Sequence, residues 1–183
     1  MASRLSQATK HRCFISYHHA DEVEVERFIN TFDHGHDVFV SRGIGASMPG
    51  DVIESTNADY IKRRIREQYL NNTSVTIVLV GACTWSRRFV DWEIAASLRK
   101  TATSAPNGLM AITLPSVASN PDREVPARFD DNLDYDRGYA RWWKYPSSTD
   151  SLASMIEDAF RRRTSKANLI DNSRQLFGRN RIC

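Results

Sequence analysis

From Ser74 to Val80 the chain reads S-V-T-I-V-L-V and stops on Gly81. Aliphatic and β-branched residues at odd and even positions alike leave no polar face, so the segment suits a strand covered on both sides in the middle of a parallel sheet. A short loop and a helix come next. Ala82 to Arg87 is small or polar, and from Arg88 the apolar residues Val90, Ile94 and Leu98 fall at i, i+4 and i+8, the spacing of one helix face. Glu93 lies one position off that stripe, about 100° round the helix, in the first turns after a loop at the carboxyl end of the strand. Open α/β sheets bind ligands along that edge.

The rest of the chain alternates in the same way. Residues 1–11 carry no periodic pattern and read as a flexible lead. Arg12 to Tyr17 (R-C-F-I-S-Y) is a short apolar strand, and from Asp21 to Phe32 the apolar positions Val23, Val25, Phe28, Ile29 and Phe32 fit a helix with an acidic first turn. Asp37 to Val40 reads as a second strand. Ser41 to Asp51 (S-R-G-I-G-A-S-M-P-G-D) holds three glycines and a proline and is a loop by composition. Asp59 to Asn71 is a helix, Leu109 to Leu114 a strand ended by Pro115, and Ser116 to Asp136 a surface excursion rich in Asp, Asn, Pro and Ser. Arg141 to Tyr145 reads as an edge strand. Thr149 or Asp150 caps a last helix over Ser151 to Arg163, and a basic tail succeeds it, with a short helix near Leu169. Alternation of this kind predicts right-handed crossovers and a doubly wound parallel sheet with helices on both faces. The expected organisation is one domain over residues 12–163, with residues 164–183 packed on it or extending from it.

In such a sheet the loops after the first three strands open on one edge. They bring Ser16, Tyr17, His18, His19, Arg42, Thr84, Trp85 and Ser86 together, with Glu93 just behind. No G-x-x-x-x-G-K-[ST] or G-x-G-x-x-G follows the first strand, which excludes the usual phosphate cradles of NTPases and dehydrogenases. No Cys/His cluster or H-E-x-x-H is present, so no metal is expected; His34 and His36 form a weak pair at best. Nothing in the spacing of Ser86, His18 and Asp91 calls for a nucleophilic triad. The clusters Lys62 to Arg66 and Arg161 to Arg163 fall on helices with apolar partners and read as solvated faces rather than a nucleic-acid surface. No apolar run approaches the roughly 20 residues of a membrane span, and M-A-S-R-L-S-Q lacks a signal-peptide core, so a cytoplasmic protein is expected. Cys13, Cys83 and Cys183 are an odd number, widely spaced, and read as buried or free thiols.

Asp91 and Glu93 stand two positions apart, which sets their side chains about 200° apart on a helix, so they cannot form a carboxylate dyad. One carboxylate is enough for cleaving an N-glycosidic bond whose leaving group is already good. The transition state is oxocarbenium-like, and a single negative charge beside the ribose offsets it. The plain alternative is a surface glutamate on an amphipathic helix.

Three segments resemble one family. F-I-S-Y at Phe14 to Tyr17, followed by an acidic helix, resembles the first box of Toll/interleukin-1 receptor (TIR) domains, and Ser41 to Asp51 resembles their second box. S-R-R-F-V-D-W-E-I at Ser86 to Ile94 resembles the segment in which TIR NAD hydrolases carry the catalytic glutamate. Behind an I-V-L-V-G-x-x-T strand it looks most like the TIR-like proteins of the bacterial Thoeris antiphage system, the ThsB type. The resemblance implies a flavodoxin-like sheet and Glu93 as catalytic residue. It places Phe14, Ser16, Tyr17 and Arg42 along the nicotinamide-ribose and phosphate side and Ser86 beside the ribose; His18, in the same loop, joins the substrate-binding set. It implies NAD+ as substrate with no separate cofactor. The products would be nicotinamide and a cyclic ADP-ribose isomer that signals to a partner effector. TIR self-association and a phage protein trigger are implied as partners. The rivals are a non-enzymatic TIR scaffold or adaptor and a nucleoside hydrolase or deoxyribosyl transferase on the same sheet.

Overall fold

The structure, a computed structural model, describes residues 10–34, 39–43, 54–101, 104–134 and 137–183. Five strands make one parallel sheet in the order β2-β1-β3-β4-β5: β1 His11–Ser16, β2 Phe39–Gly43, β3 Val75–Val80, β4 Gly108–Thr113 and β5 Arg141–Trp143. That order is the flavodoxin-like winding, with β1 and β3 adjacent at the switch point. As the unbroken apolar run requires, β3 is central and wholly buried, paired to Cys13–Ser16 on one side and to β4 on the other.

Alternate residues of the strands feed two layers. On one side Cys13, Ile15, Ile77, Leu79, Met110 and Ile112 pack against α1 (Glu22–Ile29) through Val25 and Phe28. The long helix at the end of the order, α5 (Thr149–Ser165), joins the same layer through Leu152, Ile156 and Ala159. On the other side lie α2 (Ala58–Ile65) and α3 (Arg88–Ser97). Val78, Val80, Leu109 and Ala111 meet Val90 and Ile94 there, and Phe14 meets Ile61, Ile65 and Trp92. A Cβ at Gly108 would sit on the backbone carbonyl of Ala159, so this glycine is what lets α5 lie directly on β4.

Several elements differ from expectation. The second strand runs to Gly43, so Ser41 and Arg42 belong to it; register with β1 holds them there, Arg42 opposite Phe14. The second-box loop over residues 44–53 lies outside the described residues, as do His36 and Asp37. Ser148 caps α5, accepting from the Ser151 amide at 3.1 Å, in place of Thr149 or Asp150. The span 116–136 is more than a surface excursion. It carries a one-turn helix, α4 (Ala127–Asp130), whose Phe129 and Arg128 are wholly buried, with Val117, Val125 and Asn132 buried beside them.

The cysteines also depart from expectation: Cys83 and Cys183 form a disulfide across a sequence separation of 100, and only Cys13 is a free, buried thiol. Pairing follows from the course of residues 171–183, a strap without regular structure that returns along α3 from its carboxyl half to the loop before it. Asn172 donates to the Ala95 carbonyl at 2.9 Å, Phe177 is bonded to Asp91 and Trp92, and Arg181 donates to the Ser86 carbonyl at 2.8 Å. Among the described residues no helix is long and apolar enough to cross a membrane.

Candidate functional site

Ser16 closes β1 at the carboxyl edge of the sheet, and it is fully buried. Alternation along the strand puts it on the same face as Phe14, toward α2 and α3. α3 arrives from β3 through a single 3₁₀ turn, Thr84–Ser86, and every residue from Val90 to Ser97 is buried. A helix enclosed on all sides faces the sheet, α2 and the strap at once, so each polar side chain on it needs a partner.

Asp91 and Glu93 find opposite ones. Asp91 is 0% exposed and paired with an equally buried Arg128, Nε to Oδ1 at 2.8 Å and Nη2 to Oδ2 at 3.4 Å, while the Phe177 amide donates to Oδ2 at 2.9 Å. Glu93, 5% exposed, turns to β1, where the Ser16 hydroxyl donates to Oε2 at 2.5 Å. The surface-glutamate alternative does not describe this residue. Burial pushes the Glu93 carboxyl up from 4.5 to about 8, and the Ser16 hydrogen bond draws it part of the way back. A carboxyl held by one neutral hydroxyl in a dry setting is stable as the acid and ready to ionise when a positive charge comes near.

The neighbouring loop after β1 supplies Tyr17, half-buried, and His18, 7% exposed. Burial raises the Tyr17 hydroxyl, with the carboxylates of Glu22, Glu93 and Glu26 adding to the shift. Burial lowers His18 to about 4, and the charges of Arg87 and His19 act in the same direction, so its imidazole is neutral at physiological pH. The His18 and His19 rings meet edge to face with centroids 4.3 Å apart. Asp21 approaches Gly81 so closely that a Cβ there would strike its carboxylate; Thr84 donates to Asp21 at 3.4 Å and accepts from the Gly81 amide at 2.9 Å. The loops after β1 and β3 are thereby pinned to each other.

The expected site residues divide. Ser16 and Glu93 are in contact, and the charge of Glu93 acts on the half-buried Tyr17. Phe14 is 0% exposed and packs in the core with Ile61, Ile65 and Trp92, on the same face of β1 as Ser16. Ser86 is buried, with its hydroxyl donating to the Cys83 carbonyl at 2.8 Å within its own turn. Arg42 stands on β2 beside Phe14 by backbone register. Sequence reading missed Arg128, although Val125, Phe129 and Leu133 at i, i+4 and i+8 carried a helical signal around it. Among the described residues no group of three or more His, Cys, Asp or Glu could hold a metal ion.

No curated protein matches the chain significantly. A family model described as Thoeris protein ThsB, TIR-like domain, matches residues 14–119, more than half of the 183 residues, and runs from the end of β1 through β4, α3 included.

Proposed function

The chain belongs to the Thoeris ThsB TIR-like family, and from that membership and the enclosed carboxyl of Glu93 we propose that it is an NAD+ nucleosidase and cyclase in bacterial antiphage defence. It breaks the bond between nicotinamide and ribose and closes the ADP-ribose moiety into a cyclic isomer, a signal for a partner effector. The observation that carries this reading is the Ser16–Glu93 contact, a buried acid raised to about 8 at the sheet edge where such folds bind ligands.

The chemistry follows from electrostatics. NAD+ carries its positive charge on the nicotinamide ring, and as the C–N bond breaks that charge passes to the ribose as an oxocarbenium ion. A carboxyl poised near neutrality gives up its proton to solvent as the cation binds and regains one when the products leave, and in between the carboxylate stabilises the developing ribose charge in a setting of low dielectric. The Ser16 hydroxyl keeps one carboxylate oxygen in place. A nucleophile from the ADP-ribose moiety then attacks the anomeric carbon and loses its proton, giving nicotinamide, cyclic ADP-ribose isomer and H+. Assembly of TIR units, with a phage protein as trigger, would complete the cleft from a second protomer.

The test is incubation of concentrated protein with NAD+, followed by chromatography for nicotinamide and for cyclic and linear ADP-ribose. Glu93→Gln preserves shape and removes the charge. Nicotinamide release that falls by roughly a hundredfold or more in a folded variant supports the reading. Undiminished release by Glu93→Gln overturns the role of Glu93. Absence of release from the wild type at every concentration favours a scaffold.

A further inference from the structure

The Cys83–Cys183 bond joins the strap to the loop that carries Ser86 and leads into α3. Cys183 is exposed and Cys83 half-buried, so small thiols have access to the bond. The strap has two grades of anchorage. Its deep grade is Phe177, 8% exposed, whose amide donates to Asp91 and whose carbonyl accepts from the Trp92 indole at 2.9 Å. Its shallow grade is exposed: Asn180 accepts from the Arg88 amide at 3.0 Å and Arg181 donates to the Ser86 carbonyl at 2.8 Å. Exposed hydrogen bonds of this kind open easily unless something beyond them is fixed. Here that something is the disulfide. The strap's hydrogen bonds to α3 fall on Arg88, Asp91, Trp92 and Ala95, and it braces the helix there.

We propose that Cys83–Cys183 is a thiol–disulfide exchange site, and that its state sets how firmly the Ser86 loop and the first turn of α3 are held. A thiolate from a monothiol or dithiol of the glutathione or thioredoxin class attacks the Cys183 sulfur, and Cys83 leaves as a thiolate and takes up a proton. A second thiol resolves the mixed disulfide. Two thiols thus give up two electrons and two protons, the protein gains two thiols, and the reagent leaves as its own disulfide. In a thiol-rich compartment an accessible disulfide is usually transient and regulatory, which is the use this position suits. The bond holds the loop when formed and releases Asn180 and Arg181 when broken. Cys13 takes no part: it is buried and its thiol is shifted upward by burial, leaving it protonated and unreactive.

The consequence for turnover rests on the NAD+-cleaving reading, but the structural claim does not, so the experiment measures both. The full chain is equilibrated in glutathione buffers of graded ratio, alkylated and mapped by mass spectrometry. Amide hydrogen exchange is followed in the oxidised and reduced forms and in Cys183→Ser. Expected are paired titration of Cys83 and Cys183, and exchange at Ser86, Arg87, Arg88 and Arg181 faster by roughly tenfold in the reduced form and in the variant, with Phe177 changed by less than about twofold. Cys83 and Cys183 alkylated independently at every ratio, or equal exchange at Arg88 in both forms, overturns the proposal. Nicotinamide release should fall about threefold or more on reduction and become insensitive to dithiol in Cys183→Ser. If neither form releases nicotinamide while exchange responds, the strap proposal stands and the activity reading fails.

Discussion

The Ser16 hydroxyl meets the Glu93 carboxyl at 2.5 Å, joining residues 77 positions apart across the seam between β1 and α3. Ser16 contributes the hydrogen bond that favours the carboxylate against the burial that opposes it. The ionised form is the working one in the proposed chemistry, so the acidic limb of kcat/KM for nicotinamide release should report Glu93 and lie near pH 8. In Ser16→Ala the carboxyl loses this donor, so the limb should move to higher pH and the rate at neutral pH should drop, with less change above the limb. A pH–rate profile of the two proteins checks this; superimposable limbs would remove Ser16 from the proposed machinery.

Stability should carry the same signature with its own sign. Glu93 titrates at about 8 in the fold against 4.5 for the free side chain, so between these values the folded protein keeps a proton that the unfolded chain has released. Stability therefore declines as pH rises through that window. His18 works in the other direction: lowered from 6.5 to about 4, it contributes fully above 6.5 and its contribution is lost as pH falls toward 4. The two slopes oppose each other in the acid range and leave the decline from Glu93 on its own between 6.5 and 8. Urea midpoints measured across that interval should fall for the wild type and stay level for Glu93→Gln, which should be the more stable protein at pH 8. Parallel curves would mean that the carboxyl is as well solvated folded as unfolded.

What could be foreseen here was local. The central strand was legible because six consecutive buried residues leave an unbroken apolar run, and the opposition of Asp91 and Glu93 was legible because helix geometry depends on spacing alone. Topology brought Ser16 and Glu93 to one edge of the sheet, but the hydrogen bond between them was not legible, since no local rule pairs the end of one strand with a side chain on a helix two crossovers later. Arg128 was hidden by its setting, a stretch whose Asp, Asn and Pro content reads as surface, while its reason for burial, Asp91, lies 37 positions away. The Cys83–Cys183 pair left no spacing signal either, because the strap that joins them is held by single polar contacts and not by a periodic apolar face.

The pairing of Asp91 with Arg128 makes a prediction with a built-in control. Neither group is exposed, and the arginine also donates to Asn172 Oδ1 at 2.9 Å and to the Gln175 carbonyl at 3.1 Å, so it ties α3, α4 and the strap together. Arg128→Met leaves Asp91 as an unpaired buried charge, and removing one partner of such a pair typically costs about 3–5 kcal/mol. The double variant Asp91→Leu/Arg128→Met removes both charges and should recover much of that loss. Urea unfolding of the two single variants and the double variant reads the coupling directly; additive losses would show that the two charges act independently.

Two glycines separate crowding from mere substitution. At Gly108 a Cβ would lie on the Ala159 carbonyl, and that atom belongs to the backbone of α5, with no side-chain rotation to relieve it. Gly108→Ala must therefore lift α5 from β4, loosening Leu152, Ile156 and Ala159 from Met110 and Ile112. Overpacking of this kind costs about 1–3 kcal/mol or more, and the loss should be at the upper end because the obstacle is rigid. Gly178, on the strap, has nothing within 4 Å of the corresponding position, so Gly178→Ala should stay within about 0.5 kcal/mol of wild type. The layer that Gly108 serves lies on the face of the sheet away from α3. The folded fraction of Gly108→Ala should therefore release nicotinamide at the wild-type rate per folded molecule while its urea midpoint falls. Equal midpoints for the two alanine variants would mean that α5 does not rest on β4 as closely as the fold has it.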